Sequence, residues 1–138
     1  MRRASNAIVI GLVGLSAAVF AAGATGQELG GNAEAKKMKS PVAATPESIA
    51  AGEKAFQKYC KFCHGADAKG DGPMAPKDTH PSNLTDDKWD RGSSDGEIFA
   101  TISEGAGPKF QMKGFKSKMT AQEMWNVVNY LRSLHPKG

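Results

Sequence analysis

The stretch Tyr59–Gly65, YCKFCHG, constrains the chain more than any other feature, because it holds both of the cysteines in the sequence. Cys60 and Cys63 are three residues apart, and His64 follows at once. A disulfide between them would close a very short loop and would add little to the stability of a fold. The pattern therefore predicts a redox dithiol, half of a metal site, or an attachment point for a covalently bound cofactor.

The first 24 residues have the organisation of an export signal. Two arginines precede an uncharged, mostly apolar run from Ala7 to Ala22, and small residues follow. This order predicts a signal peptide over 1–24, cleaved after Ala24, and a periplasmic protein. An uncleaved membrane anchor is the alternative, although the run is short and weakly apolar for a membrane span.

Removal of residues 1–24 lowers the net charge from +4 to +2, since this segment carries two arginines and no acid. The sequence shows no basic stripe interleaved with aromatic residues, so a nucleic-acid partner is not predicted. Contact with a membrane is expected only if the N-terminal segment is retained.

The rest of the chain divides into a lead-in and one small domain. Residues 25–45 contain almost no large apolar side chain and no periodicity, which predicts a flexible linker. The core of a domain over 46–138 is marginal without help from a metal, a disulfide or a cofactor. Helical periodicity and capping signals predict three helices and no strand; the helices cover 46–60, 94–105 and 120–135.

A covalently attached haem would account for these observations together. Cysteines at positions i and i+3 lie on one side of a helical turn, so their sulfurs can add to the two vinyl groups at one porphyrin edge. His64 is then carried under the iron as the proximal ligand. A thiol–disulfide oxidoreductase remains an alternative, but it requires a strand–helix–strand context that this sequence does not offer.

The second axial position decides between two kinds of haem protein. A second strong ligand leaves electron transfer, whereas an open site allows peroxide chemistry or gas binding. Met124 falls on the apolar stripe of the last helix, Met119 precedes its cap, and Met74 is close in sequence to His64. Met112 lies in a glycine-rich loop far enough along the chain to reach the other haem face. The candidates are Met74, His80, Met112, Met119 and Met124.

From about Ser48 to Leu134 the chain resembles the monohaem class I c-type cytochromes of bacteria. AGEKAFQKYCKFCHG is similar to that family's first helix and haem motif, GDG and HPSNLTD to its haem-wrapping loop, and MKGFKSKMTAQEMWNVVNYLRSL to its methionine loop and last helix. The resemblance implies an all-α cytochrome c fold, with three to four helices around one covalently attached haem c. It also implies that His64 and Met112 are the axial ligands. The family often has a proline after this methionine; Lys113 stands there instead, which predicts a less rigid loop.

The resemblance also assigns roles to residues outside the motif. Gly52, which lowers helix stability by about 1 kcal/mol relative to alanine, is expected to meet Tyr130 together with Phe56 where the first and last helices cross.

Two loop positions are expected near the haem. Pro81 occupies the place where the family's proline carbonyl accepts a hydrogen bond from the proximal imidazole; a plain turn proline is the alternative. Trp89 is expected to donate its indole N–H to a haem propionate, with Arg91 as a charged neighbour. A purely structural aromatic is the alternative for Trp89.

The sequence thus predicts a periplasmic electron carrier, not an enzyme, that exchanges single electrons with redox protein partners. A haem protein with an open or labile sixth site, a peroxidase or gas sensor, is the alternative. Between Gly105 and Met119 the chain has four lysines and no acid, which predicts a basic docking face for an acidic partner; lysines that only keep the loop soluble are the alternative. These lysines are Lys109, Lys113, Lys116 and Lys118.

Overall fold

The computed structural model describes residues 31–78, 80–107 and 111–135. The predicted signal peptide, 1–24, and Lys109 lie outside these ranges. The elements in chain order are α1 (Ala33–Lys36), α2 (Pro46–Tyr59), α3 (Lys61–His64), α4 (Asp95–Glu104), β1 (Gly105–Ala106), β2 (Met112–Lys113) and α5 (Ala121–Ser133).

The mostly helical architecture confirms the all-α prediction, with one addition. The two strands, which the sequence did not predict, pair antiparallel. Each has two residues, too few for the alternating pattern by which a strand is recognised in sequence.

The three main helices begin where the capping residues predict. The side-chain oxygen of Thr45 accepts a hydrogen bond from the backbone N–H of Ser48 at 3.2 Å, and Pro46 occupies the first helical position. Both predicted capping boxes are present, Ser94 with Glu97 and Thr120 with Glu123. Such caps satisfy backbone groups that the helix itself leaves unpaired.

The core is centred on the crossing of α2 and α5. Gly52 is buried, and a Cβ atom at this position would collide with the backbone carbonyl oxygen of Asn126 and lie 2.9 Å from the Cβ of Tyr130. The rings of Phe56 and Tyr130 pack with their centroids 5.4 Å apart. The crossing predicted from Gly52 is therefore confirmed.

A buried hydrogen-bond network fastens the chain before α2 to the same crossing. The Ser48 hydroxyl donates to Oδ1 of Asn126 at 2.8 Å. Nδ2 of Asn129 lies 2.9 Å from the Ser48 hydroxyl oxygen and 3.2–3.3 Å from the carbonyl oxygens of Val42 and Ala43. Because these polar groups are paired with one another, their burial carries little penalty.

The described part of the segment predicted to be a flexible linker, 25–45, is packed against the domain instead. Asn32 caps α1, and α1 lies on α4 so closely that a Cβ at Gly96 would collide with the carbonyl oxygen of Ala35. The backbone N–H of Asn32 also donates to the Glu97 carboxylate at 3.3 Å. One small residue against a glycine gives no periodic signal, so the sequence pattern could not reveal this contact.

Glu97 is the buried charge at this junction. Burial acts to raise the pKa of its carboxyl, but hydrogen bonds from the Ser94 side chain and backbone and from Asn32 outweigh burial and lower the pKa below its ordinary value. The carboxylate therefore stays ionised near neutral pH and connects α1 to the start of α4.

Within the described ranges, every helix is too short or too polar to cross a membrane.

We predict that Gly52→Ala lowers the free energy of unfolding of the haem-loaded protein. Alanine gains about 1 kcal/mol in helix propensity, but its methyl group would press on backbone that can only move by separating α2 from α5. Overpacking of this kind costs about 1–3 kcal/mol, and a collision with a backbone carbonyl belongs at the upper end of that range. A net loss of up to about 2 kcal/mol is therefore expected in denaturant unfolding. Glu53→Ala, at the exposed neighbouring position, is the control and should change stability by less than about 0.5 kcal/mol. Equal stability of Gly52→Ala and the parent would show that the helices do not depend on this contact.

Candidate haem site

The three residues of the motif lie on one continuous turn. Cys60 caps the end of α2, where its N–H donates to the Phe56 carbonyl at 2.8 Å. The N–H groups of Cys63 and His64 both approach the Cys60 carbonyl oxygen, at 3.1 and 2.9 Å. Cys60 is buried in the core, Cys63 is half-buried, and neither forms a disulfide. Two thiols and an imidazole are thus presented together.

The environment of Cys60 is not that of the attacking thiol in a redox pair. Burial, and secondarily the neighbouring Cys63, raises the pKa of the Cys60 thiol to about 12. Thiol–disulfide exchange requires an accessible thiolate, and reactive cysteines accordingly have lowered pKa values. A buried, protonated Cys60 fits a residue that is joined to a cofactor within the core.

The imidazole of His64 is oriented by a backbone carbonyl. Its Nδ1 lies 3.2 Å from the carbonyl oxygen of Ser82. With the proton on Nδ1, this contact is a hydrogen bond and the lone pair of Nε2 is available to a metal. Burial lowers the pKa of His64, partly opposed by the hydrogen bond to Ser82, so the neutral, metal-binding form is favoured.

The carbonyl at this position belongs to Ser82, which corrects the assignment to Pro81. The carbonyl oxygen of Pro81 instead lies against Gly70, where a Cβ atom would collide with it. The two candidate carbonyls are consecutive in the chain, and only the path of the loop over Gly70 determines which one faces the ring.

The loop after the motif folds back onto it through backbone hydrogen bonds. The N–H of Gly70 donates to the His64 carbonyl at 2.7 Å, and that of Gly72 donates to the Cys63 carbonyl at 3.0 Å. A Cβ at Gly72 would lie 2.6 Å from the carbonyl carbon of Cys63. The sequence pattern predicts a loop at these glycines, but their contact with the motif itself has no signal in the sequence.

Burial separates the candidates for a second axial ligand. Met112 is half-buried in β2 and packs against the apolar core that contains Cys60. Met119 and Met124 are buried among the helices, as their positions in the sequence predicted. Met74 is 67% exposed, and His80 is also exposed.

Trp89 packs against the same core and also contacts residues near the end of α5. Its ring centroid lies 5.3 Å from that of His135, and the guanidinium carbon of Arg132 lies 5.7 Å from it. Arg132 is held in turn by Asp95, with a 2.6 Å contact between Nε and the carboxylate. These contacts support a structural role for Trp89. Its predicted propionate bond, and the role of the half-buried Arg91, stay predictions.

The predicted basic face is partly neutralised. Lys113, Lys116 and Lys118 are exposed, but the ammonium group of Lys116 lies 2.5 Å from the Glu104 carboxylate. This hydrogen bond from Lys116, together with one from Ser103, lowers the pKa of Glu104. Glu104 immediately precedes the loop and so lies outside the span from which the basic face was predicted.

Comparisons with known proteins identify the family of this chain. The cytochrome c family matches residues 49–135, and the chain belongs to that family. The cbb3-type cytochrome c oxidase subunit CcoP of Rubrivivax gelatinosus is 34% identical over 94 residues, which are 67% of this chain and 28% of that subunit. The chain therefore spans little more than a quarter of the length of this relative.

Solved structures show the same fold. The Kuenenia stuttgartiensis reducing HAO-like protein complex Kustc0457/Kustc0458 contains a chain with a TM-score of 0.62 and 26% identity, over 70% of this chain and 48% of that one. The KustC0563 c-type cytochrome has a TM-score of 0.51 and 28% identity, over 62% of this chain and 98% of that one.

Membership of the family implies a covalently bound haem c and haem-based electron transfer. The residues present fit this cofactor, since two unpaired thiols on one turn are followed by a histidine whose Nδ1 is already hydrogen-bonded.

We predict that Cys63→Ala leaves at most one thioether bond and a poorly maturing protein, because the second vinyl group loses its only sulfur partner. Intact mass and haem staining on a denaturing gel would measure attachment. The control is Lys61→Gln, which alters a side chain between the cysteines and should leave one haem bound per chain. Undiminished covalent attachment through two thioethers in Cys63→Ala would contradict the assignment.

Proposed function

We propose that this protein is a periplasmic electron carrier that moves one electron at a time, with His64 and Met112 as the axial ligands of its haem. The observation that carries the proposal is the oriented imidazole, whose Nδ1 faces the Ser82 carbonyl at 3.2 Å. When bound, haem c supplies a one-electron iron couple whose potential depends on ligands, hydrogen bonds and burial.

The residues around the motif hold the site rather than take part in bond chemistry. The Ser82 carbonyl keeps the His64 ring in one orientation and raises the basicity of Nε2. Cys60 and Cys63 anchor one edge of the cofactor to the end of α2. Burial of Cys60 and partial burial of His64 limit solvent access to this side of the site, which tunes the potential.

The position of Met112 supports a carrier over a peroxidase or gas sensor. Met112 packs against the same apolar core as Cys60, whereas the exposed Met74 does not belong to that core. A thioether ligand at the sixth position leaves no open site for peroxide or gas, so the protein is not an enzyme under this proposal. The descriptions of the relatives name an oxidase subunit and a protein complex, which supports redox proteins as partners.

Replacement of Met112 by alanine tests the ligand set. We expect Met112→Ala to lower the reduction potential and to allow carbon monoxide to bind the reduced protein, because the sixth position loses its thioether. Met74→Ala is the matched control and should behave as the parent. If Met74→Ala opens the iron while Met112→Ala does not, the assignment of the ligand is wrong.

The segment 105–119 is called the methionine loop, and its described lysines, which are exposed, are proposed to steer an acidic partner to the haem. We predict that Lys113→Glu combined with Lys118→Glu slows second-order electron transfer to ferricyanide, an anionic oxidant, most strongly at low salt. The parent rate should fall as ionic strength rises, because screening shortens the reach of the charges. Spectrum and potential should change little. The control is Lys37→Glu on α1, where Lys37 is paired with Glu34. A parent rate that does not change or rises with salt would mean that the docking surface lies elsewhere.

A further inference from the structure

The methionine loop begins without a spacer at the end of α4. Glu104 is the last residue of α4, and Gly105 is the first of β1. The antiparallel ladder then pairs Gly105 with Lys113 and Ala106 with Met112. The backbone of Met112 is therefore paired with a strand that follows α4 without a break, and α4 contributes Ile98 and Ile102 to the core.

The chain after Met112 is seated on the same helix. The N–H of Phe115 donates to the carbonyl of Ile102 at 2.9 Å, and that of Lys116 donates to the carbonyl of Ser103 at 3.3 Å. Ile102 and Ser103 are both buried. Among the described residues, β2 is thus held by β1, which continues α4, and the chain after Met112 is bonded to α4 itself.

Two glycines make this close approach possible. Gly105 has φ of +91°, a backbone conformation that other residues rarely adopt, and a Cβ there would collide with the Met112 carbonyl oxygen. A Cβ at Gly114 would collide with the carbonyl oxygen of Ser103 and lie 2.7 Å from the carbonyl carbon of Glu104. Each glycine therefore permits a contact between two backbone segments.

We propose that Gly105 and Gly114 are positioning residues for Met112, and that the clamp they form supplies the rigidity that the proline often found after the methionine gives in this family. The clamp is defined as β1, β2 and residues 114–116 seated on the end of α4. This inference rests on the proposed role of Met112 as ligand.

The physical advantage of the clamp is preorganisation. A free loop would lose conformational entropy each time its methionine bound the iron, and this loss would weaken the bond. A loop already held by backbone hydrogen bonds loses little on ligation. The ion pair between Glu104 and Lys116 is more than half exposed on both sides, so its contribution is small beside that of the backbone contacts.

Gly114→Ala in the haem-loaded protein tests the clamp. The methyl group should lift residues 114–116 from α4 and loosen Met112, so carbon monoxide should bind the reduced variant at least about tenfold more tightly than it binds the parent, on the scale of an ordinary packing clash. The absorption spectrum should show a weakened sixth ligand, while the intact mass still includes one haem.

The matched control is Gly96→Ala, at the other end of α4, where the methyl group would collide with the carbonyl of Ala35 in α1. It should destabilise the protein and leave carbon monoxide affinity at the parent value, which separates a positioning effect from general loss of stability. A rise in affinity of equal size in both variants would overturn the proposal.

Hydrogen exchange of the parent protein provides a test that needs no variant to fold. The amides of Phe115 and Lys116 should be protected to a degree comparable with amides in the middle of α5, and exchange at the rate of an open loop would overturn the clamp. Met112→Ala separates the two levels of inference. If it opens the iron while Gly114→Ala matches the parent, the ligand assignment stands and the clamp is wrong; if it leaves the iron closed, both fail.

Discussion

The contact of Gly52 with the backbone of Asn126 fixes the geometry on which the rest of the structure depends. It allows α2 and α5 to cross at a separation that a side chain would prevent. Because α2 ends at the cysteine motif, the crossing determines where the thiols and the imidazole are placed. Because α5 follows the methionine loop, the same crossing anchors the other end of the proposed ligand set.

Close backbone contact at a glycine recurs in both loops around the site. Gly72 lies against the Cys63 carbonyl, Gly70 against that of Pro81, and Gly114 against that of Ser103. In each case a missing side chain lets one backbone segment approach the carbonyl of another. A domain with a small apolar core thereby gains order from close backbone packing, and the cofactor that family membership implies supplies further apolar surface.

Local chemistry made much of the fold predictable. Capping residues located the three main helices, and the cysteine motif with its histidine identified the cofactor class. The glycine in α2 predicted the helix crossing, since a costly residue inside a helix needs a packing reason. What the sequence did not reveal depends on contacts between distant residues with no local signature. One example is the buried hydrogen-bond network of Ser48, Asn126 and Asn129. Polar residues in a helix give no pattern that indicates whether they are buried together.

The errors near the site have the same origin. Whether the carbonyl of Pro81 or that of Ser82 faces the imidazole depends on how the loop passes over Gly70. The amino-acid composition of the loop does not determine that path. The predicted basic face omitted Glu104 because this residue belongs to a helix. Its carboxylate nevertheless forms an ion pair with Lys116 of the neighbouring loop. The two short strands are defined only by the pairing of Gly105 with Lys113 and of Ala106 with Met112, which no local pattern indicates.

The docking of α1 on α4 alters the reach of the chain. A flexible connection ending at residue 45 would let the domain range over the full contour of that segment. Residues 31–45 are instead held on the domain through Asn32, Ala35 and the carbonyls of Val42 and Ala43. If the N-terminal segment were kept as an anchor, the docking of residues 31–45 would shorten the flexible tether by about 50 Å, at about 3.4 Å per extended residue. The haem domain would then search a smaller volume at a higher effective concentration near its attachment point, which favours partners in the same membrane over partners that diffuse freely.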